Sequence, residues 1–487
     1  MMHSRARPLA ALPLVALGLL AGVPALAQPV AVTIDAAQRH QTMLGFGTCI
    51  NAWDDWSRVL ARRERFARQY LEELGCNIAR VNLWPKDMAP REEPDAIRFE
   101  DWRLDVRGEA YLTFARTLHE VDPTVKIIGT VWSPPAWMKL NNDERGKGSS
   151  AIPADRYHAR GKGPVDNRVR PDHFDHFAAW VVEYVKLYRQ RGTPLYALSI
   201  GNEVQFSHGF ESCVWTATDY ADVLGRVIRR LDAAGLGDLK LFGPETMTGH
   251  NAAHQNPQYV AAVMGDPLTA ARLSAWATHG YLNGVIEDTD AGPLADLRRL
   301  IEPTGKPLWI TEFGGGPHDW PRPLSGLALT LHNSLVRGDA QLVAPWLVSG
   351  EPRKSREALM IYDRPTRKTA VAQQYFRFIR PGATRVATSA TDPPAIPVRL
   401  CAFVHDAEHN ATAVVTNPAD ADVTLQLTWA GVTLVGEAQV VRTSEQEQFA
   451  DQPALPVVGN AVTVTVPAQS VVSVRVKTAE RGPGQSS

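Results

Sequence analysis

Between Met43 and Arg380, short apolar runs alternate with longer amphipathic ones. Eight of these runs read as strands: Met43–Phe46, Asn77–Leu83, Val125–Val131, Tyr196–Ile200, Leu239–Phe242, Ala275–Tyr281, Pro307–Ile310 and Leu342–Leu347. They are nearly continuous in apolar residues, the pattern of parallel strands covered on both faces. Eight segments with helical spacing fall between and after them: Ser57–Leu74, Gly108–Val121, Asp172–Gln190, Thr218–Leu231, Pro257–Met264, Pro293–Ile301, Leu324–Val336 and Thr366–Phe378. Gly75 and Gly192 stand where helix C-caps belong, and Pro123 and Pro303 stop two other helices. Eight strands alternating with eight helices predict an α/β fold over residues 43–380, a closed (β/α)8 TIM barrel rather than an open doubly wound sheet.

After Arg380-Pro381-Gly382 the pattern changes. Ala411–Thr416, Val423–Thr428, Ala438–Val441 and Val471–Val476 are rich in β-branched residues and separated by Pro, Asp, Asn and Gly. Residues 383–477 therefore read as a C-terminal antiparallel β-sandwich. The Val30–Ile34 run, within 28–42, is expected to add a strand to that sheet. Residues 478–487 are polar and rich in Gly and Pro, and read as a disordered tail.

Residues 1–27 read as a signal peptide. His3, Arg5 and Arg7 give a positive start, Pro8 to Leu20 an apolar stretch, and Ala25-Leu26-Ala27 a small-residue cleavage site. The expected location is secreted or periplasmic, with no membrane contact once the signal is cleaved. The chain carries 51 Lys and Arg against 52 Asp and Glu, which leaves no electrostatic footprint for nucleic acid. Cys49, Cys76, Cys213 and Cys401 are too few for a disulfide scaffold in a chain of this length, and their pairing stays open.

Two glutamates change the picture from fold to chemistry. Glu203 closes Tyr196-Ala197-Leu198-Ser199-Ile200-Gly201-Asn202-Glu203, and Glu312 closes Pro307-Leu308-Trp309-Ile310-Thr311-Glu312. The C-terminal tips of barrel strands are where such barrels build their active sites. Two carboxylates aimed at one cleft are the minimum equipment for hydrolysing a glycosidic bond. Arg80, at the end of the second strand, and Tyr281, at the end of the sixth, are placed to hold Glu312 ionised. His279 is a candidate to line the same site. Sugar rings present apolar faces that stack on flat aromatics. Trp132, Trp137 and Trp346 fall just past barrel strands and suit that role; Trp53, Trp84, Trp215 and Trp320 are candidate outer platforms. No HExxH, Cys-x-x-Cys or Gly-rich phosphate loop occurs, and His173/His176 and His405/His409 lack acidic or Cys partners. No metal, nucleotide or other cofactor is expected, and no protein partner.

Several strings occur in an order and spacing that resemble glycoside hydrolase family 30, in the clan of retaining (β/α)8 glycosidases. They are Gly45-Phe46-Gly47, Trp132-Ser133-Pro134-Pro135-Ala136-Trp137-Met138-Lys139, Asn202-Glu203, Glu211-Ser212-Cys213-Val214-Trp215-Thr216, His279-Gly280-Tyr281, Thr311-Glu312 and Phe378-Ile379-Arg380-Pro381-Gly382. The resemblance implies Glu203 as acid/base, Glu312 as nucleophile, and Asn202 as a partner of the sugar 2-hydroxyl. The acid's carboxyl is then expected to titrate above its ordinary range while the nucleophile stays charged. Val204 stands where members commonly carry Pro. Arg353, Lys354 and Arg356 follow the eighth strand, where one xylanase branch meets an acidic sugar; in this chain they read as a solvated charge run. The expected substrate is a polysaccharide or oligosaccharide. The open alternatives are endo action on xylan or a β-1,6-linked glucan or galactan, exo action as a β-glucosidase, β-xylosidase or glucosylceramidase-like enzyme, transglycosylation, or non-catalytic carbohydrate binding.

Overall fold

The run Ile78–Leu83 is buried along its whole length, which a strand requires when helices cover one side and a barrel interior the other. The computed structural model describes residues 28–50, 52–85, 88–146, 150–151, 166–248, 255–281, 292–352, 355–391, 393 and 395–480. The export reading of residues 1–27, most of the 478–487 tail, and Arg353 and Lys354 therefore lie outside the described residues.

Eight parallel strands follow one another around a closed ring: Gly45–Cys49, Ile78–Leu83, Lys126–Val131, Ala197–Ser199, Lys240–Met247, Leu273–His279, Leu308–Glu312 and Leu342–Val343. The last returns to the first, with Leu342 opposite Gly45 and Val343 opposite Phe46. Closure leaves no unpaired edge. Each expected strand is present, and the differences are local. The fifth runs on to Met247 through Gly243-Pro244, with register shifts on either side of Gly243-Pro244. The eighth stops at Val343, and its expected continuation is a separate strand, Leu347–Gly350, paired with Ala358–Ile361. Ser57–Leu74 is broken into Asp55–Leu60, Glu64–Arg68 and a π turn at Gln69–Glu73, with Asp54 capping the first piece through the Ser57 amide.

Val30–Thr42 and the eight strands after the barrel form one nine-stranded sheet, ordered Ala450–Pro456, Leu434–Thr443, Ser470–Thr478, Asn410–Asn417, Arg399–His405, Thr384–Thr388, Val30–Thr42, Val423–Ala430 and Ala461–Val466. Val30–Thr42 lies parallel to Val423–Ala430, against the antiparallel expectation; the other pairs are antiparallel. Ala461–Val466, at one edge, also contacts Asn410–Asn417 and Ser470–Thr478 near the other. The sheet thus folds over an apolar core that includes Ile34, Leu400, Leu425, Val464 and Val474.

The helix Arg367–Phe376 joins the two units. Its Tyr375 and Phe376 belong to the same apolar cluster as Phe403, Val414 and Val471 of the sheet. Gln374 Nε2 donates to Thr443 Oγ1 at 2.8 Å, and Ser473 Oγ donates to the Gln374 carbonyl at 2.9 Å. The connection turns at Gly382, whose φ of 90° favours glycine. Among the described residues, no helix is long and apolar enough to cross a membrane.

Candidate functional site

The period of a strand decides which residues enter the barrel. Ile78, Ile128, Ala197, Phe242, Ala275, Trp309 and Leu342 form an apolar floor inside it. Two and four residues beyond that floor, the same alternation turns Arg80 and His279 into the layer above, both fully buried. Simple alternation would point Glu312 outward, since Trp309 is a floor residue. A register shift between Ile310 and Glu312 re-aims it. The shift between Pro244 and Thr246 does the same for Glu245, which stands three residues after Phe242. Such irregularities bend a strand and redirect a side chain, and sit often beside active sites. Glu203 lies past the fourth strand at φ 46°, a left-handed conformation that costs a non-glycine residue free energy.

These residues converge. Arg80 Nη1 donates to Glu312 Oε1, its Nε to Glu245 Oε1 at 3.2 Å, and its Nη2 to Asn202 Oδ1 at 2.8 Å. The Tyr281 hydroxyl donates to Glu312 Oε2 at 3.0 Å. His279 Nδ1 lies 2.9 Å from Glu203 Oε1 and 3.6 Å from Glu312 Oε2, while its Nε2 lies 3.5 Å from Glu245 Oε1. His208 Nε2 lies 2.6 Å from the other Glu203 oxygen.

The electrostatics follow from these contacts. Burial opposes the His279 cation, but Glu312, Glu203 and Glu245 outweigh it and raise the imidazole to about 9. Burial likewise opposes the Glu245 anion, and Arg80 and His279 overcome it, holding that carboxyl at about 2. Glu203 is buried too, yet its hydrogen bonds to His208 and His279 bring its carboxyl well below the usual range. Glu312 moves the other way: burial, with Glu203 and Glu245 nearby, outweighs Arg80 and His279 and raises it. This reverses the expectation that the acid would titrate high and the nucleophile low. The physical reason is the second imidazole on Glu203, which strand patterning did not reveal.

One oxygen of Glu203 lies within 4.8 Å of one oxygen of Glu312, and both face a cleft of about 380 Å³. Trp346 lines it, stacked on Trp132 at 5.3 Å and lying under the Arg80 guanidinium. Trp53 and Phe210 complete an aromatic wall against Trp132. Trp137 does not join it. Its ring packs edge-on against His173 and His176 instead, because the turn at Ala136–Met138 carries it away from the cleft. Trp84 and Trp215 are buried, the first beneath Arg107 and the second against Phe177, so neither is an outer platform. The cleft rim also holds Arg107, Arg145 and Glu211, with Arg107 and Glu211 paired at 3.4 Å.

Sequence reasoning missed Glu245 and His208. Gly243-Pro244 looks like the end of a strand in the sequence, and Glu245, directly after Pro244, reads as a loop residue there. His208 sits in a loop whose path is fixed at a distance. Lys139, buried, reaches the Ser212 carbonyl at 2.8 Å, and Ser212 Oγ accepts from the His208 amide at 3.0 Å. Two of the quoted strings, ending in Lys139 and beginning at Glu211, thus meet to hold this loop.

Among the described residues, Glu203, His279 and Glu312 form the one cluster whose donor atoms lie close enough to surround an ion. Arg80, Tyr281 and His208 already take up its carboxylate oxygens, and His279 Nδ1 is committed to Glu203. The cluster reads as a proton and charge network rather than a set of open ligands. All four cysteines are buried and free, and burial pushes each thiol upward.

No protein-family model matches the chain. A glucuronoxylanase, XynC of Bacillus subtilis strain 168, is 23% identical over 457 residues, which covers 91% of this chain and 90% of that one. An endo-1,6-β-D-glucanase of Neurospora crassa is 26% identical over 276 residues, covering 52% and 51%. In fold, the chain is similar to the family 30 subfamily 8 xylanase Xyn30A of Clostridium acetobutylicum, with a TM-score of 0.71 and 24% identity over 92% of this chain and 99% of the other. The relative that spans nine-tenths of the chain, the ordered strings at the strand ends and the barrel-plus-sheet architecture agree: the chain is a glycosidase, similar in sequence and fold to the enzymes of glycoside hydrolase family 30.

Proposed function

We propose that the protein is a secreted, endo-acting β-glycoside hydrolase that retains anomeric configuration, with Glu312 as nucleophile and Glu203 as acid/base. The observation that carries this reading is that one oxygen of Glu203 lies within 4.8 Å of one oxygen of Glu312. Two carboxyl groups that approach so closely suit the short separation of a retaining pair, about 5–5.5 Å, better than the wider gap that an inverting pair leaves for a water. Arg80 and Tyr281 supply donors to both oxygens of Glu312, which favours the anion that attacks the anomeric carbon. Asn202, tied to Arg80, is the partner for the sugar 2-hydroxyl. Trp346 is the platform for the ring next to the cleaved bond.

The preferred substrate is a β-xylan, supported by the relative that spans the chain being a glucuronoxylanase. A β-1,6-glucan is the second reading, supported by the endo-1,6-β-glucanase match over half the chain. The test is product release on β-xylan, glucuronoxylan, β-1,6-glucan and β-1,6-galactan, with Glu312→Gln as control. Oligosaccharides released from one polymer and absent with the variant are expected. Release of monosaccharide alone would replace endo with exo action.

A further inference from the structure

His208 stands five residues past Glu203, in a loop outside the barrel strands, and its Nε2 is 2.6 Å from Glu203 Oε2. Its ring is stacked between Phe206 and Phe210, each within 9° of parallel, at 5.5 and 4.4 Å. Ser212 Oγ accepts from its amide at 3.0 Å, and Lys139 Nζ anchors Ser212 from behind. Stacking, a side-chain latch and a buried lysine together aim one imidazole at one carboxylate oxygen.

A double displacement needs a proton on the acid before the glycosidic bond breaks. Glu203 is hydrogen-bonded by two imidazoles, at 2.6 and 2.9 Å, which bring its carboxyl well below the usual range although burial opposes this, so both stand where a proton could be returned to it. His279 is ringed by Glu203, Glu245 and Glu312 at 2.9, 3.5 and 3.6 Å, and these keep it charged. His208 touches that group through Glu203, and Phe210, stacked on its ring, lines the cleft.

We propose that His208 is the positioning residue for the acid's proton, which is kept in the Glu203–His208 hydrogen bond until Glu203 passes it to the leaving oxygen. This rests on the retaining reading above. In the first half, Glu312 bonds to the anomeric carbon as the glycosidic C–O bond breaks. The electron pair stays on the leaving oxygen, which takes the proton from Glu203, leaving the Glu203–His208 pair one proton short. In the second half, water attacks the anomeric carbon, Glu312 departs with its electron pair, and the water's proton returns to the Glu203–His208 pair. One proton leaves and one is recovered. The other charges around the pair are His279 and Glu312 from the sixth and seventh strands, Arg107, Arg145 and Glu211 from the cleft rim, and Lys139 behind Ser212.

His208→Phe keeps a stacked ring and removes the nitrogen; His208→Gln keeps a neutral donor. On aryl glycosides of the sugar that the wild type cleaves, His208→Phe should lower kcat/KM at least about tenfold for a poor phenol leaving group. The loss should be much smaller for dinitrophenol, and the alkaline limb of the pH profile should move to lower pH. His208→Gln should fold normally without restoring that limb. Equal losses for both leaving groups, or an unmoved limb, would overturn the proposal. The Nε2 nitrogen resonance of His208 gives a readout independent of turnover. It should shift on Glu203→Gln, and an unresponsive resonance would also overturn the proposal. A wild type that cleaves no glycoside sinks the retaining reading, while the nitrogen resonance still judges the hydrogen bond.

Discussion

The guanidinium of Arg80, on the second barrel strand, is hydrogen-bonded across the barrel interior to Glu312 at the tip of the seventh. The same group reaches Glu245 and Asn202, so one planar cation orients three side chains from three other strands. Replacing it by Met would leave two carboxylates buried without that partner, at a cost of about 3–5 kcal/mol. Arg80→Lys keeps the charge but not the fork. It should fold with a lowered thermal midpoint and lose about 100-fold or more in kcat, as expected when a preorganised donor is removed. Unfolding curves and initial rates on the same samples check this, and full activity in the Lys variant would contradict it.

The two proposed carboxylate roles separate cleanly by chemistry. Glu312→Gln should abolish turnover on every substrate, because an amide cannot form the glycosyl ester. Glu203→Ala should retain activity on substrates with an activated leaving group and be accelerated by azide, which fills the space of the missing carboxylate. NMR of the product should reveal a β-glycosyl azide; an α-azide would mean inversion.

The charge on His279 makes stability pH-dependent. Its folded value is raised from 6.5 to about 9. Its contribution is therefore fully present below about pH 6.5 and is lost as pH rises through about 9. The thermal midpoint should fall across that window. In His279→Asn the slope there should flatten, and an identical slope in both proteins would show that other groups set it.

The helix Arg367–Phe376 is covered on one side by the barrel and on the other by the nine-stranded sheet. Deleting residues 383–487 would expose Tyr375 and Phe376 and leave Gln374 without its partners. The shortened barrel should be poorly soluble or unfold at a clearly lower temperature, measurable by expression yield and calorimetry. A stable, active barrel would refute this.

Much of the site was legible because barrel strands impose a period. Arg80, Asn202, Glu203, His279, Tyr281, Glu312 and Trp346 sit at or just past strand tips, and the fold brings them together. Glu245 was not legible, since a strand that continues through Gly-Pro does so by an irregularity that no pattern of apolar residues announces. His208 was hidden for a different reason. Its neighbours Lys139 and Ser212 are distant or looped in sequence, and only packing brings them to Glu203. Trp137 shows the converse: a tryptophan just past a strand looked like a platform, but the short turn that carries it faces His173 and His176.

The loop latched by Lys139 has a consequence for how this enzyme can vary. Apart from His279, the surroundings of Glu203 are supplied by residues 204–216, a continuous segment anchored from outside by Lys139 and Asn167. Those of Glu312 come from the second and sixth strands directly and from the fifth through Arg80. The first is close to a cassette, exchangeable with little disturbance to the barrel strands provided that Lys139 and Asn167 are kept. The second is woven through the chain, so any change to it must be matched at several distant positions at once. Divergence among such enzymes should accordingly run faster around the proton donor than around the nucleophile.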